Sequence, residues 1–213
     1  VIWKRQTTCG GGLVLLPGGG FVEACNAKPS IRLIRRDVEG HILWDRTYRV
    51  DLGKHFNDMV SVANNGVLLG GATSTPGWND QAWLLRVDGK GELLWEQTYG
   101  RPNSRDTAER VTTTPTGFAF AGRLNSESKI NLDRNGRAPA VLWLVNVDRN
   151  GDLEKERTYP AGVGADGLIS MPDGGFVIAG HTGWFSTLLL RTDAQGQVVW
   201  GRRYSSRPGA VSG

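Results

Sequence analysis

The residues able to do chemistry are few and scattered. Three histidines, His41, His55 and His181, stand singly, with no His-x-x-x-His or other paired metal spacing. His41 follows a turn glycine and enters a strand, whereas His55 and His181 fall in loops that could converge on one face. No Gly-x-Ser-x-Gly elbow presents a nucleophile, and no Gly-x-x-x-x-Gly-Lys-Ser/Thr loop cradles a phosphate. Asp133–Gly136 and Asp148–Glu154 look superficially like calcium loops. The first lacks the later ligands, and the glutamate of the second comes too early for an EF-hand. These observations assign no catalytic residue, no metal and no cofactor.

An acidic residue recurs near the start of three successive units: Asp58, Glu109 and Asp166. On the inner strands of a ring they would line its channel, where they could hold a cation or a polar ligand. Equally, each carboxylate could accept backbone N–H bonds where its own strand begins. The two cysteines, Cys9 and Cys25, lie near opposite ends of one predicted hairpin and form a candidate disulfide. A bridge would mean an extracytoplasmic protein; two partly buried free thiols are the alternative.

What must position these groups is a repeat. An Asp-x-x-Gly turn occurs at Asp37–Gly40, Asp88–Gly91, Asp148–Gly151 and Asp193–Gly196. Four residues after three of these glycines stands a tryptophan (Trp44, Trp95, Trp200), with Lys155 in the third copy. Four residues further every copy has a tyrosine: Tyr48, Tyr99, Tyr159 and Tyr204. A second, Pro/Asn/Gly-rich turn precedes each of these: Pro17–Phe21, Asn64–Val67, Pro115–Phe118 and Pro172–Phe176. Each joins two apolar segments and so predicts a hairpin. The unit therefore has four strands, A to D. In the second copy they fall at about 58–63, 67–73, 81–87 and 92–98. The C strands are continuous apolar runs, such as Trp83-Leu84-Leu85 and Leu188-Leu189-Leu190, which predicts burial on both faces. Period two places Trp44, Arg46 and Tyr48 on one face of a D strand, covering the groove to the next sheet.

A four-stranded sheet of this size cannot bury its own apolar faces, and stacking such sheets does so. The fold expected is all-β: a β-propeller of four-stranded antiparallel blades, with four repeats in this chain, either a closed small propeller or part of a larger one. A β-sandwich or another β-solenoid is the alternative. Residues 1–213 form a single propeller domain or segment, with repeats at about 8–48, 49–99, 100–159 and 160–204 and a tail at 205–213. Val1–Lys4 align with the start of a further D strand, Trp3 standing where Trp44 and Trp95 stand. The count is then one D strand plus four whole units. That leaves four-bladed closure, a larger ring, completion by a second chain, or another task for the first strand.

The D–A and B–C loops share one face of such a propeller, and the A–B and C–D turns share the other. The second face is all short turns. The first carries every long or varied loop: Arg49–Asn57 with His55, Thr75–Asp80 with Trp78, Gly100–Thr107 with Arg101 and Arg105, and His181–Ser186 with Trp184. The longest is Asn125–Ala140. Long loops on a rigid scaffold are where binding concentrates. Trp78 and Trp184 are the candidate aromatic anchors, with His55, His181, Arg101 and Arg105 as polar partners; both tryptophans could instead pack under their own loops.

Val87-Asp88-Gly89-Lys90-Gly91-Glu92-Leu93-Leu94-Trp95 resembles the tryptophan-docking repeat of quinoprotein-like propellers, with one residue fewer between Asp and Trp. Together with Asp173–Gly180 it is similar to repeats of secreted bacterial propeller proteins. The resemblance implies the fold and an extracytoplasmic setting. It implies no quinone here, because the adjacent cysteine pair of those enzymes is missing.

Composition narrows the rest. The formal charge is +4, and the basic residues are spread through every repeat rather than gathered in a patch, which argues against nucleic-acid binding. No run of eighteen apolar residues is present to span a membrane as a helix. The first residue is Val1, as in a processed or trimmed chain. The expected function is a non-catalytic periplasmic or extracellular binding or assembly module. Its partner would be a protein or small polar ligand on the loop face, with self-association or further blades completing the ring. An enzyme, a hydrolase or lyase working around the channel, and a structural segment of a larger propeller are the alternatives.

Overall fold

In a computed structural model, residues 11–27, 30–49, 53–73, 80–102, 104–125, 140–160, 164–181 and 186–205 are described. They form four antiparallel sheets, each of four strands hydrogen-bonded in chain order. The first blade is β1 (Gly12–Leu15), β2 (Phe21–Ala27), β3 (Ser30–Arg36) and β4 (Ile42–Arg49). The second is β5 (His55–Val62), β6 (Gly66–Ala72), β7 (Ala82–Val87) and β8 (Leu93–Tyr99). The third is β9 (Thr107–Thr113), β10 (Gly117–Asn125), β11 (Ala140–Asp148) and β12 (Leu153–Tyr159). The fourth is β13 (Gly164–Ser170), β14 (Phe176–His181), β15 (Ser186–Thr192) and β16 (Val198–Ser205). The chain folds as β-propeller blades, as the repeat predicts.

The Asp-x-x-Gly turn is built by its own aspartate. Asp88 Oδ1 accepts the N–H of Lys90 at 2.8 Å and of Glu92 at 2.9 Å, and Asp148 and Asp193 accept the corresponding pairs. The closing glycines Gly40, Gly91, Gly151 and Gly196 have φ between 77° and 87°, which a Cβ would strain. In the second blade's A–B turn that conformation is taken by Asn64 and Asn65 instead, at φ 59° and 57°.

The second and third sheets have two apolar faces because each lies between neighbours, and three junctions join the four sheets. Val67, Leu69, Trp83, Leu85 and Val87 of the second blade pack on Val22, Ala24, Ile31 and Leu33 of the first. Phe118, Phe120, Trp143 and Val145 of the third pack on Leu68, Ala82, Leu84 and Tyr99 of the second. Phe176, Ile178, Leu188 and Leu190 of the fourth pack on Ala119, Ala121, Leu142 and Leu144 of the third. Trp83, Leu84 and Leu85 are fully buried, as their continuous apolar run predicts. In Leu188-Leu189-Leu190 only the first and third are buried, because the outer face of the fourth sheet has no neighbour among the described residues.

The D strands explain the repeated aromatics. Each has a register shift beside its Trp or Lys position, and the extra residue there, Leu43, Leu94, Glu154 or Val199, is exposed. The next residue then reaches the Asp-x-x-Gly turn of the following blade. Trp44 Nε1 donates to Gly89 O at 3.0 Å, and Tyr48 Oη to Gly91 O at 2.7 Å. Trp95 Nε1 donates to Arg149 O at 2.8 Å, and Tyr99 Oη to Gly151 O at 2.7 Å. At the third junction Lys155 Nζ takes the tryptophan's place on Ala194 O at 2.7 Å, while Tyr159 Oη donates to Gly196 O at 2.8 Å. One donor pair, four and eight residues after the turn glycine of its own blade, thus locks each blade to the next.

Candidate binding face

The first strands β1, β5, β9 and β13 are the inner strands, and the last three are kinked where they start. The registers of β5, β9 and β13 slip by one residue, leaving Asn57, Glu109 and Asp166 as the bulged residues. Asp58 is therefore one position beyond the structural counterpart of Glu109 and Asp166. The bulged side chains reach forward. Asn57 Nδ2 donates to Ala108 O at 3.0 Å, and Glu109 Oε2 accepts from Ala165 N at 2.6 Å. Asp58 Oδ2 accepts from Val111 N at 2.9 Å, so its backbone donor comes from the neighbouring blade. Asn26 grips the corresponding peptide at the first junction, accepting from Phe56 N and donating to Phe56 O. Burial raises the Asp58 pKa despite its two backbone N–H donors.

Glu109 also pairs with Arg123 at 2.9 Å, and Asp166 with His181 Nδ1 at 3.0 Å. Arg123 and His181 each follow the glycine facing the bulge, so His181 is the fourth blade's version of Arg123. His55 opens β5 of the second blade, and its ring is half-buried. His55 and His181 are thus two blades apart.

The Gly100–Thr107 loop is built around Asp106, which is fully buried. Its carboxylate accepts from Arg101 N at 2.9 Å, Ser104 Oγ at 2.5 Å and Asn125 N at 3.0 Å. Burial pushes the Asp106 pKa up, opposed by these donors. Arg105 Nε lies 3.6 Å from Asp80 Oδ2, and Asp106 N donates to Asp80 O at 2.8 Å. Arg101 is exposed on the same loop. Asp106→Ala leaves the Arg101 and Asn125 amides without their acceptor, and we expect urea unfolding to show a loss of about 2–3 kcal/mol. An unchanged midpoint would show that this carboxylate does not hold the loop.

Trp78, Trp184 and Cys9 lie outside the described residues, as does most of the Asn125–Ala140 insertion. Cys25 is buried and disulfide-bonded, and the chain's other cysteine is Cys9. Among the described residues one group has the composition of a cation site: Asp37, Glu39 and His41 on the turn face. Its aspartate is already engaged, accepting from His41 N at 2.8 Å and from His41 Nδ1 at 3.0 Å.

Sequence reasoning missed one recurrent pair. Trp83 Nε1 donates to Glu96 at 2.7 Å, Trp143 Nε1 to Glu156 at 2.9 Å, and Arg32 Nε to Asp45 at 2.8 Å. The partners are 13 residues apart in every case, a spacing that was available in the sequence. Lys54 also bonds Glu96 and lies 5.9 Å from the Trp83 ring centroid. Between the second and third blades the matching groove is lined by Thr98, Tyr99, Arg101, Trp143 and Glu156.

No protein-family model matches the chain, and no curated protein matches it. Solved structures do: 37 chains match. A protein from Lactobacillus plantarum is 18% identical with a TM-score of 0.56, over 94% of this chain and 57% of that one. A subtype N10 neuraminidase-like protein of A/little yellow-shouldered bat/Guatemala/060/2010 is 8% identical with a TM-score of 0.50, over 88% of this chain and 65% of that one. The chain thus spans less than two thirds of either. A protein of unknown function from Bacteroides caccae is 13% identical with a TM-score of 0.40, over 95% of this chain and 85% of that one. For the first two the likeness is one of fold, and the fold is the β-propeller built above from its own repeats.

Proposed function

We propose that the chain is a non-catalytic, extracytoplasmic binding module that takes a protein or small polar ligand on its loop face. The observation that carries this is the Asp106-centred loop. A fully buried carboxylate fixes a varied surface loop that displays Arg101 and Arg105, as a preorganised contact surface requires. The opposite face is made of short turns whose polar groups satisfy one another. The carboxylates where the inner strands begin are taken up by neighbouring amides, an arginine and a histidine, which favours binding over catalysis. A Cys9–Cys25 bridge and the resemblance to secreted repeats support the extracytoplasmic part of this reading. Trp78 and Trp184 are its proposed aromatic anchors.

Site-specific photo-crosslinking in the native host tests the face. A benzophenone side chain at Arg101 should capture a discrete partner or ligand, and one at Lys90 on the turn face should not. Capture from Lys90 alone would overturn the assignment.

A further inference from the structure

The three junctions between blades are made the same way, and the fourth blade carries every part of a fourth junction. At each occupied junction the earlier blade supplies an apolar outer face, a pair of donors for the next Asp-x-x-Gly turn, and a polar side chain for the next inner strand. The outer face of the first blade centres on Val22, Ala24 and Leu33, that of the second on Leu68, Gly70 and Leu84, and that of the third on Ala119, Ala121 and Leu144. Every apolar side chain among these is at most 2% exposed. By strand register the fourth blade's counterparts are Val177, Ala179 and Leu189. Beside them Ile169 is 61% exposed.

The donor pair is present too. Trp200 and Tyr204 stand where Trp44 and Tyr48, and Trp95 and Tyr99, stand. Tyr99 and Tyr159 are 9% and 6% exposed, whereas Tyr204 is 50% and Trp200 40% exposed. Among the described residues neither Trp200 Nε1 nor Tyr204 Oη meets a carbonyl. Asp166 completes the set. It occupies the bulge from which Asn57 and Glu109 reach the next inner strand, yet its side chain is 54% exposed and turned to His181.

We infer that this surface is a socket for one further four-stranded blade of the same repeat. That blade presents the carbonyls of an Asp-x-x-Gly turn to Trp200 and Tyr204, a backbone N–H to Asp166, and an apolar inner face to Val177, Ala179 and Leu189. The three occupied junctions state what covers such a face. The first blade of this chain, in the same molecule or in a second copy, is a poor occupant. Its inner face carries Glu23 and Arg36, paired at 2.7 Å, and Arg32 and Asp45. The blades that fill the occupied sockets place Leu69 and Val87, Phe120 and Val147, or Ile178 and Thr192 at the Glu23 and Arg36 positions, none of them charged. Pressing apolar surface onto a buried ion pair gains little. The inference goes beyond the loop-face reading and does not depend on it.

The experiment compares the chain as it is with one extended after Ser205 by the linker sequence 160–163 and a second copy of residues 164–205. Both carry 5-fluorotryptophan, with the Trp200 resonance assigned through Trp200→Phe. We expect Trp200 to be open to solvent in the unextended monomer at all concentrations and protected to the level of Trp95 in the extended chain. Tyr204→Phe should leave the midpoint of the unextended chain unchanged and lower that of the extended one. Protection in the unextended monomer would mean that its own first blade fills the socket. Protection that grows with concentration, tracked by sedimentation, would mean that a second copy does. Either result overturns the inference, as does an added blade that stays unfolded or leaves Trp200 exposed.

Discussion

Trp83→Ala lowers the free energy of unfolding by about 3–5 kcal/mol, while Trp200→Ala changes it by less than about 0.5 kcal/mol. The two tryptophans stand on different strands of the repeat, β7 and β16, and their difference in burial decides the outcome. Trp83 is fully buried in β7, within the cluster that joins the first two blades. Its removal opens a cavity in a sheet that is packed on both sides, where Leu69 and Leu85 cannot both move in. It also takes the indole N–H from Glu96, leaving that carboxylate to Lys54 alone. Trp83→Phe keeps most of the volume and loses only the N–H, so it should fall well short of the alanine variant. Trp200 projects from the last strand and gives up little that the folded state holds. Equilibrium urea unfolding of the three variants is the measurement. Equal losses at 83 and 200 would mean that the outer face of the fourth blade is covered in solution.

How far this architecture could be read from the residues differs by level. The hairpins and the stacking were legible because Asp88, Gly91, Trp95 and Tyr99 recur at fixed offsets and each has a local physical reason. The strands of the second blade, expected at 58–63, 67–73, 81–87 and 92–98, run at 55–62, 66–72, 82–87 and 93–99. The shift at β5 comes from the bulge at Asn57, which no periodicity announces. That bulge also breaks the simple alignment of Asp58 with Glu109 and Asp166. A one-residue slip in a strand sends a side chain to the other face, so the recurrence of acids in sequence did not translate into equivalent places. Their partners were harder still. A carboxylate whose strand starts in one blade accepts its N–H from the next, and that contact spans more than fifty residues. The spacing of thirteen between Trp83 and Glu96 recurs in the sequence, although no turn or aromatic periodicity marks it. The buried role of Asp106 could not. Its neighbours Ser104 and Arg101 read as ordinary loop residues, and only the fold brings Asn125 to the same carboxylate.

The tyrosines that lock each blade to the next also set an alkaline limit on the fold. Tyr159 is buried, and burial is the main reason its phenol pKa is pushed up to about 12. Tyr48 and Tyr99 are raised further, for the same cause. In the unfolded chain a tyrosine ionises near pH ~10. Between these values the folded state holds a proton that the unfolded state has released, so stability falls as pH rises. The contribution is complete below about pH 10 and is lost at about 1.4 kcal/mol per pH unit for a buried tyrosine such as Tyr159. Tyr159→Phe isolates the effect, because phenylalanine cannot ionise. Below pH ~10 the parent should be the more stable by about 1 kcal/mol, the worth of the hydrogen bond to Gly196 O. Above about pH 11 the order should reverse, since the ionisation cost then exceeds that bond. Urea midpoints of both proteins from pH 8 to pH ~12 would reveal the crossing, and curves that stay parallel throughout would show that the phenol is not sequestered at the junction.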